Sequence, residues 1–215
     1  MRLDFKNTPP KDIYPLLTGL VAPRPIALIT SLGSDGRLNA APFSAYNYLC
    51  TNPPIVGIGV AARNAGGDEL KDTARNIQQT GEFVVNVVTE DIAQKMNICG
   101  IEFPPEVSEL EMAGFTTEPS LTVKVPRLKE AHAALECRLY QAIKPGSGPA
   151  LIILGEVVGA YVEDRYMEGR YVLAKELHSI GRMNALDNYV RTQDAFISIP
   201  RLNYDQWQKG DRGKA

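Results

Sequence analysis

Residues 25–32, "PIALITSL", form an apolar run of strand length that is rich in β-branched residues, and the turn cluster "GSDGR" returns the chain into 38–48. That pattern predicts a hairpin. "NPP" closes the second strand, and Pro54 can only begin the next, "IVGIGVAA", because proline has no N–H to give to a ladder. "RNAGGD" then reads as a loop. The segment "DTARNIQQ", 72–79, predicts a short helix opened by Asp72 or Thr73 as N-cap and closed before Gly81, followed by the strand "EFVVNVV". "TEDIAQKMNICG" and "PPEVSELEMAG" read as a second and third helix, each with early acids and a glycine stop. Two long strands follow, "AALECRLYQAI" and "ALIILGEVVGAYVE", joined by the turn "KPGSG". After a "DRYMEGRY" turn, residues 174–196 mix short helix signals with irregular chain, and "QKGDRGKA" is expected to be a solvated tail.

Antiparallel hairpins with inserted helices predict a mainly β protein, a barrel or sandwich with attached helices, and argue against a doubly wound sheet. No internal repeat or low-complexity linker divides the 215 residues, so one domain is expected, with a core over about 20–165, an extension over 166–206 and a disordered tail over 207–215. Hydrophobic residues at 44% and charged residues at 22% are ordinary for a globular chain. A formal charge of -2 lacks the basic footprint that would neutralise nucleic-acid phosphates. No apolar run approaches a bilayer span, and the N-terminus carries acids and prolines where a signal peptide needs an apolar core, so a cytoplasmic protein without a membrane partner is expected. Cys50, Cys99 and Cys137 are odd in number and widely spaced, which predicts buried, reduced thiols. With only His132 and His178, neither a metal site nor a Ser/His/Asp triad is expected.

"GIGVAA", Gly57–Ala62, fits the G-x-G-x-x-A dinucleotide fingerprint in letters only, because no helix signal follows it. Its glycines read better as room for a neighbouring backbone or a flat ligand. At "KDTARNI" a helix start brings free N–H groups together with Lys71, a setting that suits a phosphate. Asp72 competes for the same N–H groups as an ordinary cap, while Arg63 could return to the same space across the intervening loop. Thr30 and Ser31 end the first strand, and Ser44 and Asn47 lie on its hairpin partner. Strict alternation separates Ser44 from Asn47, so a ligand shared by both requires a bulge or strand end, and a solvated edge strand is the competing reading.

The segments "PRPIALITS", "GRLNAAPFSAYNYLCTNPPIVGIGV", "KDTARNIQQTGEFVVNVV", "LECRLYQAI" and "LIILGEVVGAYV" occur in an order and spacing that resemble the flavin reductase-like family of FMN-binding split barrels, across roughly residues 20–165. "GRMNALDNYVRT" resembles that family's C-terminal segment. The resemblance implies an antiparallel Greek-key split β-barrel that forms a homodimer, with FMN in a groove near the subunit interface. It also implies NAD(P)H-dependent flavin reduction, in some cases supplying a partner monooxygenase. Carried over by position, the family's FMN-contacting segments fall on Thr30, Ser31, Ser44, Ala45, Tyr46, Asn47, Arg63, Lys71, Asp72 and Thr73, with Arg24 at the rim. No side chain is implied as a catalytic acid or base, because the redox chemistry belongs to the cofactor. The chain departs from many relatives at Gly148 and Pro149, where they carry an Asp-His element, and at "GRMNALDNY", where a glycine pair is typical. An electron carrier or reductase component that does not itself react with NAD(P)H is the alternative reading.

Overall fold

The computed structural model describes residues 2–63, 69–104, 107–194, 196–197 and 208. A helix, α1 (Pro10–Leu20), precedes strands β1 (Arg24–Pro25), β2 (Ala27–Leu32), β3 (Leu38–Phe43), β4 (Tyr46–Thr51) and β5 (Pro54–Val60). Next come α2 (Asp72–Thr80), β6 (Glu82–Val87), α3 (Ala93–Ile98), α4 (Glu109–Ala113) and a small ribbon of β7 (Thr117–Glu118) with β8 (Arg127–Leu128). The long strands β9 (Ala133–Ile143) and β10 (Leu151–Val162) lead into the ribbon β11 (Met167–Glu168) and β12 (Tyr171–Val172). The short helix α5 (Ala174–Leu177) and strands β13 (Ile180–Arg182) and β14 (Tyr189–Arg191) complete the described elements.

Seven strands form one antiparallel sheet in the order β3-β2-β6-β9-β10-β5-β4. Its two edge strands are consecutive in the chain, so the connection at Ser44–Ala45 carries the chain from one edge to the other and the sheet curls on itself. This is the expected split barrel, mainly β with few helices. Gly155 lies at a register shift between β10 and β9, where an added Cβ would run into the Phe83 ring, so the strand bends there because glycine leaves the space.

The unbroken apolar run of β2 has a physical cause. Ala27 and Ile29 pack into an interior core with Phe43, Ile58, Phe83 and Ile153. Ile26 and Leu28 face an outer core with Met96, Leu110 and Phe115 from the helical side. A strand buried on both faces shows no alternation. Asn86 pins this region from within the core: its Nδ2 donates to Leu28 O at 3.0 Å and its Oδ1 accepts from Leu128 N at 2.8 Å. The C-terminal β13–β14 pair is tied to the N-terminal segment, because β13 pairs with β1 through Arg24↔Arg182 and Pro25↔Gly181.

Several expectations need correction. The run 38–48 is two strands rather than one: β3 pairs with β2, whereas β4 pairs with β5. The third helix is confined to Glu109–Ala113, with Ser108 Oγ accepting from Glu111 N, and Pro105 and Glu106 lie outside the described residues. Cys99 and Cys137 are buried thiols, but Cys50 is exposed because β4 is an edge strand with mostly exposed side chains. "GIGVAA" runs along β5, and its glycines admit the neighbouring strand: an added Cβ on Gly59 would lie 3.0 Å from Ala45 Cβ, and one on Gly57 2.5 Å from Leu49 Cδ1. Most of the loop "RNAGGD" and the expected tail lie outside the described residues.

Candidate functional site

A cavity of about 580 Å³ runs beside β3, the α2 N-terminus and the 96–103 segment. The sheet register orders its contents. Asn39 sits opposite Ser31 and Phe43 opposite Ala27, four residues further along β3, about 13 Å at ordinary strand rise. Thr73 is anchored to the Asn39 end by a 2.9 Å hydrogen bond between Asn39 Nδ2 and Thr73 Oγ1. Arg24 leads directly into β2 and pairs with Arg182, so Arg182 belongs to the Phe43 end. The cavity therefore has an α2 end lined by Lys71, Asp72, Thr73 and Arg63, and a β13–β14 end lined by Arg182, Asp187 and Tyr189.

The α2 end is an anion-seeking place. Helix α2 opens on Lys71 with no side-chain cap, so among the described residues no side chain occupies the N–H groups of the helix start. The expected cap by Asp72 or Thr73 is not formed. Asp72 is instead held by two arginines, with Oδ2 paired to Arg63 and Oδ1 to Arg75, which cancels the acid that would repel an incoming anion. Thr73 turns its hydroxyl to Asn39. The Lys71 side chain has no ion-pair or hydrogen-bond partner among the described residues. Glu109, on the same wall, has its carboxyl pushed up by burial, against a backbone hydrogen bond and the charge of Arg63.

Of the residues singled out from sequence, Ser44, Arg63, Lys71, Asp72 and Thr73 line this one cavity. The others lie elsewhere. Thr30 is fully buried and its Oγ1 donates to Pro126 O at 2.8 Å. Ser31 is equally buried and accepts from Asn76 Nδ2 at 3.2 Å. Arg24 is spent on carbonyls: Nη1 donates to those of Thr18 and Val21, and Nη2 to Asn184 O at 3.3 Å. Ala45 is exposed, with its carbonyl accepting from Gly59 N at 2.7 Å. Tyr46 packs against the interior core, where burial, with a lesser contribution from Cys137, pushes its phenol up to about 12. Asn47 is exposed and its Oδ1 accepts from Tyr48 N.

Sequence reasoning missed Asn39 as a bridge to Thr73, Glu109, and the Arg182–Tyr189 pair as cavity wall. A polar residue facing the hydroxyl of Thr73 was visible in "RLNAAP", but its partner lies 34 positions away in sequence. Both histidines lie outside the cavity lining. His178 is exposed and closes α5 in the left-handed region, with φ 53°. His132 is held between two carboxylates, with Nδ1 2.7 Å from Glu163 Oε1 and Nε2 2.9 Å from Asp91 Oδ2. Among the described residues, no group of three His, Cys, Asp or Glu is placed to hold a metal, and no helix is long and apolar enough to cross a membrane.

Known proteins resemble this chain in sequence and in fold. An uncharacterized protein of Aquifex aeolicus is 42% identical over 184 residues, covering 85% of this chain and 92% of the relative. The crystal structure of nitrilotriacetate monooxygenase component B from Bacillus cereus superposes with a TM-score of 0.86 at 35% identity, covering 92% of this chain and 98% of that one. That of the 2-nitrobenzoate 2-nitroreductase NbaA of Pseudomonas fluorescens gives 0.82 at 37% identity, covering 93% and 96%. The flavin reductase like domain profile matches residues 20–176, most of the chain and all of the cavity lining except Tyr14 and the C-terminal wall. The chain belongs to the flavin reductase-like domain family.

Proposed function

We propose that this flavin-linked oxidoreductase binds FMN in the cavity beside β3 and reduces it with NAD(P)H. The observation that carries the reading is the α2 end, where an uncapped helix start, a Lys71 ammonium with no partner among the described residues and an acid already neutralised by Arg63 and Arg75 meet in one wall. That combination suits a phosphate monoester. The cavity volume lies within the ~300–1,000 Å³ usual for cofactor sites, and its length along β3 leaves room for a ribityl chain and a flat ring beyond the phosphate. When bound, FMN would supply the two-electron chemistry by accepting hydride on its ring.

The protein's own part is to hold and orient. Lys71 and the first N–H groups of α2 fix the phosphate, Thr73 is held in place by Asn39, and Ser44 with Ala41 and Pro42 borders the space for the ring. No side-chain acid or base is called for. A homodimer fits the apolar surface left open on β4, where Tyr48 is 64% exposed and Leu49 56%, and on α1, where Leu20 is 79% exposed. We read the chain as one domain, since β13 ties the described part of the C-terminal extension to β1, and expect it to work in the cytoplasm.

A second reading is a reductase component or electron carrier that serves a partner oxygenase without its own NAD(P)H specificity. It draws on the Bacillus cereus relative, which is a monooxygenase component, and on the absence of histidine from the described cavity wall. Titration with FMN, followed by NADH and NADPH oxidation with added FMN, separates the two. The reductase reading expects FMN-dependent oxidation well above that of free flavin. FMN binding with oxidation no faster than free flavin supports the carrier, and no FMN binding removes both.

A further inference from the structure

The end of the cavity opposite Lys71 carries a second cation, Arg182. Arg182 Nε donates to Asn184 O at 3.4 Å, Nη1 donates to the Tyr189 hydroxyl, and the guanidinium carbon lies 4.7 Å from the Tyr189 ring centroid. A carbonyl and an aromatic face therefore fix the plane of the guanidinium, on a strand paired on both sides. Its only acidic partner among the described residues is Asp187 Oδ1, 3.7 Å from Nη2, and the Asp187 side chain is fully exposed. A pair so separated and so open to water is weak, so a ligand anion can displace it. Tyr189 and Tyr14, both substantially exposed, line the same cavity and offer aromatic surface beside the cation.

We propose that Arg182 and Tyr189 form a subsite for a flat aromatic monoanion, an aryl carboxylate, bound with its carboxylate on the guanidinium and its ring against tyrosine. The guanidinium fork matches a carboxylate in two parallel hydrogen bonds. Asp187 already brings a carboxylate toward that edge. A phosphate dianion suits the place less well, because Asp187 would repel it while Lys71 and Arg63 stand at the other end of β3. The subsite rests on the flavin reading only for its purpose, which is to hold an electron acceptor beside the ring. Its affinity for carboxylates stands on Arg182 alone.

Calorimetric titration of benzoate, benzamide and phenyl phosphate into the purified protein, with and without saturating FMN, tests this. Benzoate is expected to bind about tenfold more tightly than neutral benzamide and more tightly than phenyl phosphate. In Arg182→Gln the benzoate preference falls to near unity, while FMN affinity, measured separately, changes less than about twofold. Asp187→Asn, an exposed and structurally mild change, is expected to strengthen benzoate binding about two- to threefold by removing the competing carboxylate. Equal binding of benzoate and benzamide, a preference that survives Arg182→Gln, or tighter phenyl phosphate binding lost with Arg182 would each overturn the assignment. Failure to bind FMN with the benzoate preference intact would overturn the flavin reading instead and leave the subsite standing.

Discussion

Two hydroxyl pairs, Thr30 with Ser31 on β2 and Ser44 with Thr73 around the cavity, offer the same chemistry in opposite settings. The β2 pair is fully buried and committed to protein partners, Thr30 to Pro126 O and Ser31 to Asn76. The other pair lies in a cavity wall: Ser44 is half-buried, and Thr73, though only 1% exposed, has its hydroxyl accepting from Asn39, itself a cavity residue. A buried polar group without a partner costs free energy, so each hydroxyl of β2 has found one. The lesson is that a hydroxyl's role is decided by what surrounds it: the β2 hydroxyls are enclosed by core on every side, whereas Ser44 and Thr73 stand beside an open cavity.

Substitutions that act on one set and spare the other sharpen that contrast. The largest effect is expected at Glu136, the charged counterpart of the β2 hydroxyls, which is 3% exposed. Its carboxylate accepts from Leu121 N at 2.8 Å, Thr122 N at 2.6 Å and the Thr122 hydroxyl at 2.5 Å. Burial works against the charge, but the hydrogen bonds from Thr122 and Leu121 outweigh it and hold the group below its ordinary value of 4.5. A depressed folded value means stability that is present above the ordinary carboxylate range and lost as pH falls through the folded value. Glu136→Gln should therefore cost about 2–3 kcal/mol at neutral pH, with the gap to wild type narrowing below about pH 4.5 in urea melts. A gap of constant size across acid pH would contradict it.

Lys71→Ala should weaken FMN binding about tenfold at low salt, or ~1.4 kcal/mol, and clearly less at high salt, with Tm unchanged. Thr30→Val should do the reverse. It leaves the Pro126 carbonyl without its donor, costing about 1 kcal/mol of stability in chemical denaturation, with FMN affinity as in wild type. Thr73→Val is the mildest on FMN, with binding weakened about threefold, and it costs about 0.5–1 kcal/mol of stability because Asn39 Nδ2 loses its acceptor. If Thr30→Val weakened FMN as much as Thr73→Val, the separation of the two pairs would be wrong.

Much of the frame was readable because its signals are local. The stretch "AALECRLYQAI" is β9 residue for residue, α2 begins at the expected Asp72, and its glycine stop at Gly81 adopts φ 74°. The break at Ser44–Ala45 was not readable, since it depends on β4 pairing with β5 across the barrel rather than on any letter at the break. Asp72 misled for a similar reason: a cap preference is local, whereas Arg63 reaches it from the end of another element and Arg75 from the next turn of the helix. The role of Arg182 and Tyr189 stayed open in the sequence, because "GRMNALDNY" departs from the family's usual glycine pair and only the pairing of β13 with β1 brings them to the cavity.

Flavin specificity at the phosphate tests the central claim most directly. Fluorescence titration of wild type and Lys71→Ala with FMN and with riboflavin, which differ only by the phosphate, compares the two ligands at the α2 end of the cavity. The account predicts that wild type binds FMN at least about a hundredfold more tightly than riboflavin, and that this preference falls about tenfold in Lys71→Ala at low salt. Equal affinity for the two flavins in wild type, or a preference untouched by the loss of Lys71, would contradict it.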